Sequence, residues 1–269
     1  MAFVERIAFE VSGDGEPVVL IHGLGGTANT FVPLLPALAR NRKVCLDLPG
    51  SGRSARIEGP LSLEVYLEAV QKVMHRAGVV RAHVVAHSMG TIIATHFAAR
   101  EPGKVASLAL FGPLLAPPEP ARAAIRARAQ KAREGDMQPI ADALVQASTS
   151  TETRTKRPTA VAYVRESLMR QYPKGYAWSC EALADMQPAD VMKIECPVLL
   201  VTGDEDVVAP PQSVRAMAGK IRGAKVEVLR GCGHWTPIEK PEECQRLLQH
   251  FLSTRRSSLG ARHGERALH

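Results

Sequence analysis

The stretch VVAHSMGTII (residues 84–93) decides how this chain folds. Two apolar runs are interrupted by His87, Ser88 and Gly90. The run before Ser88, from Arg81 to His87, is β-branched and short enough for a buried strand; the run after it suits a helix. A strand that turns straight into a helix lifts the residue at the turn clear of the sheet edge. Strand and helix then pass so closely that the positions two before and two after must be small. Here they are Ala86 and Gly90. The usual form of such a turn has glycine at both, so Ala86 is a departure of one methyl group. Ser88, raised in this way, is a candidate nucleophile.

Working outward, short apolar runs alternate with longer amphipathic ones. Strands are expected at 16–23, 42–50, 81–87, 105–112, 196–203 and 224–231. Between them, 63–78 is the clearest helix: Leu63, Tyr66, Leu67, Val70, Val73, Met74 and Ala77 share one face, and Gly78 is placed to end it. Helices are also expected at 30–40, with Pro33 in its first turn, at 88–101 and at 241–252. Continuous apolar strands alternating with helices imply a parallel sheet covered on both faces, hence an α/β fold of about eight strands. The opening segment, 3–17, alternates instead. Gly13-Asp14-Gly15 suggests a hairpin there and an antiparallel edge. Residues 113–195 break the rhythm with helical patterns and no convincing strand; Met137, Ile140, Ala141, Leu144 and Val145 form one stripe, Val161, Val164 and Leu168 another. The expected organisation is a core of 1–112 and 196–254, a helical insertion at 113–195, and a disordered basic tail at 255–269.

Composition excludes several classes. The 269 residues are 45% hydrophobic and 23% charged, and no apolar run approaches the roughly 18 residues that cross a bilayer. MAFVERIAFE (1–10) has no apolar signal core, so a cytoplasmic protein without a membrane partner is expected. Cys45, Cys180, Cys196, Cys232 and Cys244 are odd in number and show no C-x-x-C spacing, which predicts free, mostly buried thiols and no metal site. The net charge of +7 is concentrated in the tail after Phe251 and in Arg122, Arg126, Arg128, Lys131 and Arg133. Solvated faces account for it better than a nucleic-acid surface does, and attraction of an anionic substrate is the alternative.

HGLGG (22–26), DLPGSGRS (47–54), AHSMG (86–90), GDEDVVAPP (203–211) and GCGHWTPIEKPEE (231–243) stand in order at expected strand ends. As a set they resemble the α/β-hydrolase superfamily, from about residue 16 to 252. The resemblance makes the inserted helices a cap. It implies an Asp206 carboxylate, by the G-x-x-D spacing, with Asp204 as the rival. Some relatives carry the acid after the preceding strand, but LFGPLL (110–115) offers none. The chemistry asks for the same parts. A serine needs a base within hydrogen-bond reach, and His234, just past the last strand, is the best placed histidine. The base needs a carboxylate on its other nitrogen, and the intermediate needs N–H donors, for which Leu24 and Met89 are the candidates. No cofactor is called for.

Other residues carry open readings. His22 orders the glycine loop or reacts; His87 touches substrate or packs behind the nucleophile; Asp47 forms a turn; Cys232 is a packed thiol. Tyr176 and Trp178 line a substrate pocket or hold the cap down. Hydrolysis of a carboxylic ester or lactone through an acyl-enzyme is the expected activity. Residues 172–211 resemble the matching part of bacterial 3-oxoadipate enol-lactonases, whose substrate carries a carboxylate that an arginine-bearing cap would suit. The alternatives are a general carboxylesterase, a slow-turnover small-molecule receptor, and a lyase or perhydrolase.

Overall fold

The computed structural model describes residues 1–54 and 59–264, with side chains to Thr254. Among the described residues, eight strands form one sheet: β1 Ala2–Val4, β2 Ile7–Ser12, β3 Pro17–Ile21, β4 Arg42–Leu46, β5 Ala82–His87, β6 Val105–Phe111, β7 Val198–Gly203 and β8 Lys225–Leu229. The order is β1-β2-β4-β3-β5-β6-β7-β8. β1 and β2 are antiparallel to their neighbours, and β4 through β8 run parallel. An antiparallel edge is present, but its hairpin is not at 13–15. It is at Glu5-Arg6, whose φ angles of 45° and 70° make a tight two-residue turn. The Gly13-Asp14-Gly15 loop instead leads from β2 to β3, and β4 lies between those two strands.

Ten α-helices among the described residues accompany the sheet: α1 Leu63–Arg76, α2 Met89–Arg100, α3 Glu119–Arg133, α4 Gln138–Ser148, α5 Thr151–Lys156, α6 Pro158–Met169, α7 Pro173–Asp185, α8 Pro211–Ala218, α9 Thr236–Glu239 and α10 Pro241–Gly264. The segment Ala28–Leu38 winds as a 3₁₀ helix, because Pro33 and Pro36 inside it lack the N–H groups that an α-helical ladder needs. α10 carries the backbone of 255–264 along with it, where composition suggests disorder; 265–269 lie outside the described residues. α3 to α7 all fall between β6 and β7. The chain thus leaves the sheet after Phe111 and returns at Val198.

Alternate strand residues serve opposite faces. Val19, Ile21, Val84, Ala86, Leu108, Leu110 and Leu200 join a core with α1, α2, α8 and the inserted helices. Val18, Leu20, Val85, Ala109, Phe111, Leu199 and Val201 join a second core with the 3₁₀ segment and α10. Burial on both faces explains the uninterrupted apolar runs of the central strands. β8, at the edge, alternates exposed Lys225 and Glu227 with partly covered valines. All five cysteines are free, and four are buried. No helix among the described residues is long and apolar enough to cross a membrane.

Asp47, just past β4, ties three loops together. Its carboxylate accepts from Ala28 N (2.8 Å), Arg53 N (3.0 Å) and Arg53 Nε (2.7 Å). Burial pushes its carboxyl up, but the Arg53 bonds, the nearby His22 ring and the Ala28 N–H outweigh it and hold the group below its usual range. Its contribution is therefore present above about pH 4 and lost as pH falls through the lowered folded value. Asp47→Asn is expected to cost about 1–3 kcal/mol at pH 7. In urea melts the gap to wild type should narrow steadily from pH 5 to pH 3; a gap constant with pH would contradict this account.

Candidate active site

Four strand ends deliver the site. Leu24 follows β3, Ser88 follows β5, Asp206 follows β7 and His234 follows β8. Parallel strands put all four at the same carboxyl edge of the sheet. Ser88 has φ 52° and ψ −124°, a conformation side chains rarely adopt. It is held there by Ser88 N donating to Phe111 O (3.0 Å) and by Thr91, whose N and Oγ1 both donate to Ser88 O at 2.7 and 2.6 Å. A Cβ on Gly90 would lie 2.3 Å from Ile21 O and 2.6 Å from His22 O, so no larger residue fits there. Ala86, in contrast, is accommodated between β3 and β6 with its methyl fully buried.

The three separated side chains meet. His234 Nε2 lies 2.8 Å from Ser88 Oγ, and His234 Nδ1 lies 2.9 and 3.1 Å from the two Asp206 oxygens. A carboxylate only accepts, so the proton sits on Nδ1 and Nε2 is free to accept from the serine. Asp206 also accepts from Val208 N (2.9 Å) and Ala209 N (2.8 Å). Burial pushes its carboxyl up, yet the His234 ring and those N–H groups hold it below the usual range. The rival Asp204 is exposed and accepts from Cys232 N instead. The ring of His234 rests on Gly112, where a Cβ would come within 2.9–3.0 Å of it.

The N–H groups of Leu24 and Met89 have no acceptor among the described residues, and Leu24 lines the same cavity as Ser88. The loop around Leu24 is fixed from both sides. His22 Nε2 accepts from Leu48 N (2.8 Å), which puts its proton on Nδ1, donating to Gly23 O (2.8 Å). Burial pushes the His22 ring toward its neutral form. From above, Ser167 Oγ (2.7 Å) and Gln171 Nε2 (3.1 Å) donate to Gly25 O.

The cavity, of about 290 Å³, lies between this edge and the inserted helices. Tyr176 lines it. His87 and Trp178 do not. His87 packs behind the base: its Nε2 donates to His234 O (3.0 Å), and burial, then the His234 ring, push it down to about 3. Trp178 is packed against the hydrophobic core. Cys232 is wholly buried. Sequence reasoning missed Trp235, which lines the cavity beside His234 and was signalled only by that adjacency.

It also missed Glu239. This carboxylate is completely buried and forms no ion pair among the described residues. It accepts instead from Gly233 N (3.0 Å), Trp235 N (3.0 Å), Ser150 N (2.8 Å) and Thr153 Oγ1 (2.8 Å). It thus grips the backbone on both sides of His234 and ties it to the turn between α4 and α5. His234 N adds a bond to Ser148 O (2.8 Å), and Trp235 Nε1 one to Ser148 Oγ (3.1 Å). The GHW-x-x-x-E spacing is visible in the sequence, but nothing in it tells that the carboxylate turns inward.

Comparison with known proteins places this geometry. A family model described as "Alpha/beta hydrolase family" matches residues 18–246. The chain is 26% identical over 246 residues, 90% of this chain and 92% of the other, to the (E)-2-((N-methylformamido)methylene)succinate hydrolase of Acinetobacter baylyi. Among solved structures it is similar to a thermophilic esterase from Thermogutta terrifontis with malate bound (TM-score 0.88, 25% identity, 93% of each chain). It is also similar to the enol-lactonase of Burkholderia xenovorans LB400 (TM-score 0.87, 26% identity, 92% of this chain and 96% of that one).

Glu239→Ala leaves four buried donors without their acceptor and is expected to cost about 2–4 kcal/mol in denaturant unfolding. It should also weaken or abolish the far-downfield proton resonance of the His234 Nδ1–H, by loosening the loop that aims the ring. A variant with wild-type stability and an unchanged resonance would show that Glu239 does not hold this loop.

Proposed function

The chain belongs to the α/β-hydrolase family, and on that premise we propose that it cleaves a carboxylic ester or lactone through an acyl-enzyme on Ser88. The observation that carries the reading is the 2.8 Å approach of Ser88 Oγ to His234 Nε2, with Asp206 on the far nitrogen. Ser88 attacks the carbonyl carbon while His234 takes the hydroxyl proton. Asp206 fixes the tautomer and stabilises the imidazolium that forms. The carbonyl oxygen, now negative, receives the N–H groups of Leu24 and Met89. His234 returns the proton to the leaving alkoxide, and the alcohol departs, or stays tethered if the substrate was a lactone. Water, deprotonated by His234, then attacks the acyl carbon and frees Ser88.

Relatives named as an esterase, an enol-lactonase and a succinate-derivative hydrolase support this reaction class. Within it, the likeness to the enol-lactonase and the similarity of residues 172–211 favour 3-oxoadipate enol-lactone as the substrate to test first. The helices α3 to α7 serve as the cap over the site.

Purified protein should hydrolyse p-nitrophenyl butyrate continuously, and Ser88→Ala should lose roughly 10³-fold or more in kcat. A fluorophosphonate should add once, at Ser88, by peptide mass. Undiminished activity in Ser88→Ala would end the proposal, and a stoichiometric burst without further turnover would replace it with a slow receptor. Offered side by side, the enol-lactone should surpass the simple ester in kcat/KM; the reverse order would leave a general carboxylesterase.

A further inference from the structure

We infer that Arg128 and Tyr176 form an anion subsite in the cavity, built to take a carboxylate carried by the substrate at some distance from the bond that is cleaved. The inference rests on the ester or lactone hydrolysis proposed above and names its substrate class.

The argument begins with what the basic residues of α3 do. Arg122 donates to the carbonyls of Ala184 and Met186, Arg126 pairs with Asp185 at 2.6 Å, and Arg133 pairs with Glu181 at 2.6 and 2.9 Å. These three fasten α3 to α7. Arg128, on the same helix, forms no ion pair among the described residues and lines the cavity with Ser88. Its Nε is sealed from solvent and has no hydrogen-bond partner among the described residues. Tyr176 Oη is likewise buried and unpartnered, and its side chain lines the same cavity. Besides each other, both interact with the buried Cys180 thiol, a weak acceptor at best.

Buried donors left unpaired are costly, and a buried arginine is almost always paired. The cavity wall gives them no counter-charge: among the described residues no aspartate or glutamate lines it, and most of it is apolar. Its other polar side chains are already engaged. Ser88 and His234 hold each other, and Trp235 Nε1 donates to Ser148 Oγ, which itself donates to Leu144 O. Two unspent donor groups, one carrying a permanent positive charge, thus remain inside an otherwise apolar chamber. A carboxylate matches both. It accepts two N–H bonds from a guanidinium fork and leaves lone pairs for a phenol. The mostly apolar lining of the cavity that Arg128 and Ser88 share suits the carbon chain joining that carboxylate to the ester or lactone carbonyl.

Two measurements decide the matter. In the first, glutarate is titrated calorimetrically into wild type, Arg128→Gln and Arg128→Lys, with dimethyl glutarate as the uncharged control. Glutarate should bind wild type in preference to the diester and bind Arg128→Gln at least roughly tenfold more weakly. Arg128→Lys, which keeps charge without the fork, should fall between. Equal binding of acid and diester by wild type, or equal binding of glutarate by all three proteins, would overturn the subsite. In the second, kcat/KM is measured for mono-p-nitrophenyl glutarate and for p-nitrophenyl butyrate. Wild type should favour the hemi-ester, and Arg128→Gln should lose roughly tenfold or more of that preference. Absence of turnover with both esters while glutarate binding follows Arg128 would sink the hydrolase reading and leave the subsite standing. Turnover with no dependence of the preference on Arg128 would do the opposite.

Discussion

The tight crossing of α2 over β3 is the constraint from which the rest of the site follows. With Gly90 lying where any side chain would strike the carbonyls of Ile21 and His22, the helix can start only one residue after the strand ends. Ser88 is then forced to positive φ, and its hydroxyl is thrust out at the sheet edge instead of being folded into either element. The strain is small beside what holds it: hydrogen bonds from Thr91 and to Phe111 fix the turn, and the two cores on either face of the sheet fix the elements. Because β3, β5, β7 and β8 run parallel, every chemical group that follows one of them emerges on the same side. The fold thus brings Ser88 and His234, 146 positions apart in the chain, into contact at hydrogen-bond length.

The inserted helices do more than roof the cavity. Ser167 and Gln171 of the α6 region hold the glycine loop at Gly25, while the α4–α5 turn holds the loop of His234 through Ser148, Ser150, Thr153 and Glu239. Glu239 illustrates how a buried carboxylate is satisfied without a counter-ion: backbone N–H groups converge on it, much as they do on an anion at a helix start. Asp206 works differently, since it faces a ring whose charge changes during the proposed reaction. The two acids sit on either side of the base, one orienting its ring and the other its backbone.

Much of this was legible in the chain itself. The β5–α2 junction, the parallel strands and the α1 stripe follow from periodicity and from small residues at fixed offsets, which are local properties. The expectation of Asp206 comes from the spacing that the family resemblance implies, and the fold sets this carboxylate 2.9 Å from His234 Nδ1. What escaped were properties set by distant partners. The edge hairpin turns at Glu5-Arg6, which carry no glycine signature, while the glycine-rich 13–15 attracts attention for a turn it does not make. The helix expected at 30–40 winds as a 3₁₀ helix over 28–38, because Pro36 as well as Pro33 removes an N–H from its interior. The basic cluster of α3 appeared uniform in the text. Only α7, brought alongside by the fold, divides it into arginines that are spent on partners and one that is not. Tyr176 and Trp178 carry the same open reading in the sequence, and of the two it is Tyr176 that lines the chamber.

The anchorage of the histidine loop by the α4–α5 turn also bears on how such a protein can diversify. Exchanging the whole insertion for that of a relative would take Ser150 N and Thr153 Oγ1, two of its four donors, away from Glu239 and loosen the loop that carries the base. Changes confined to α3 and α7, which clasp each other and carry Arg128 and Tyr176, avoid that damage. Evolutionary drift in what the chamber accepts is thereby channelled into one helix pair, and a laboratory library aimed at new selectivity would do well to begin there.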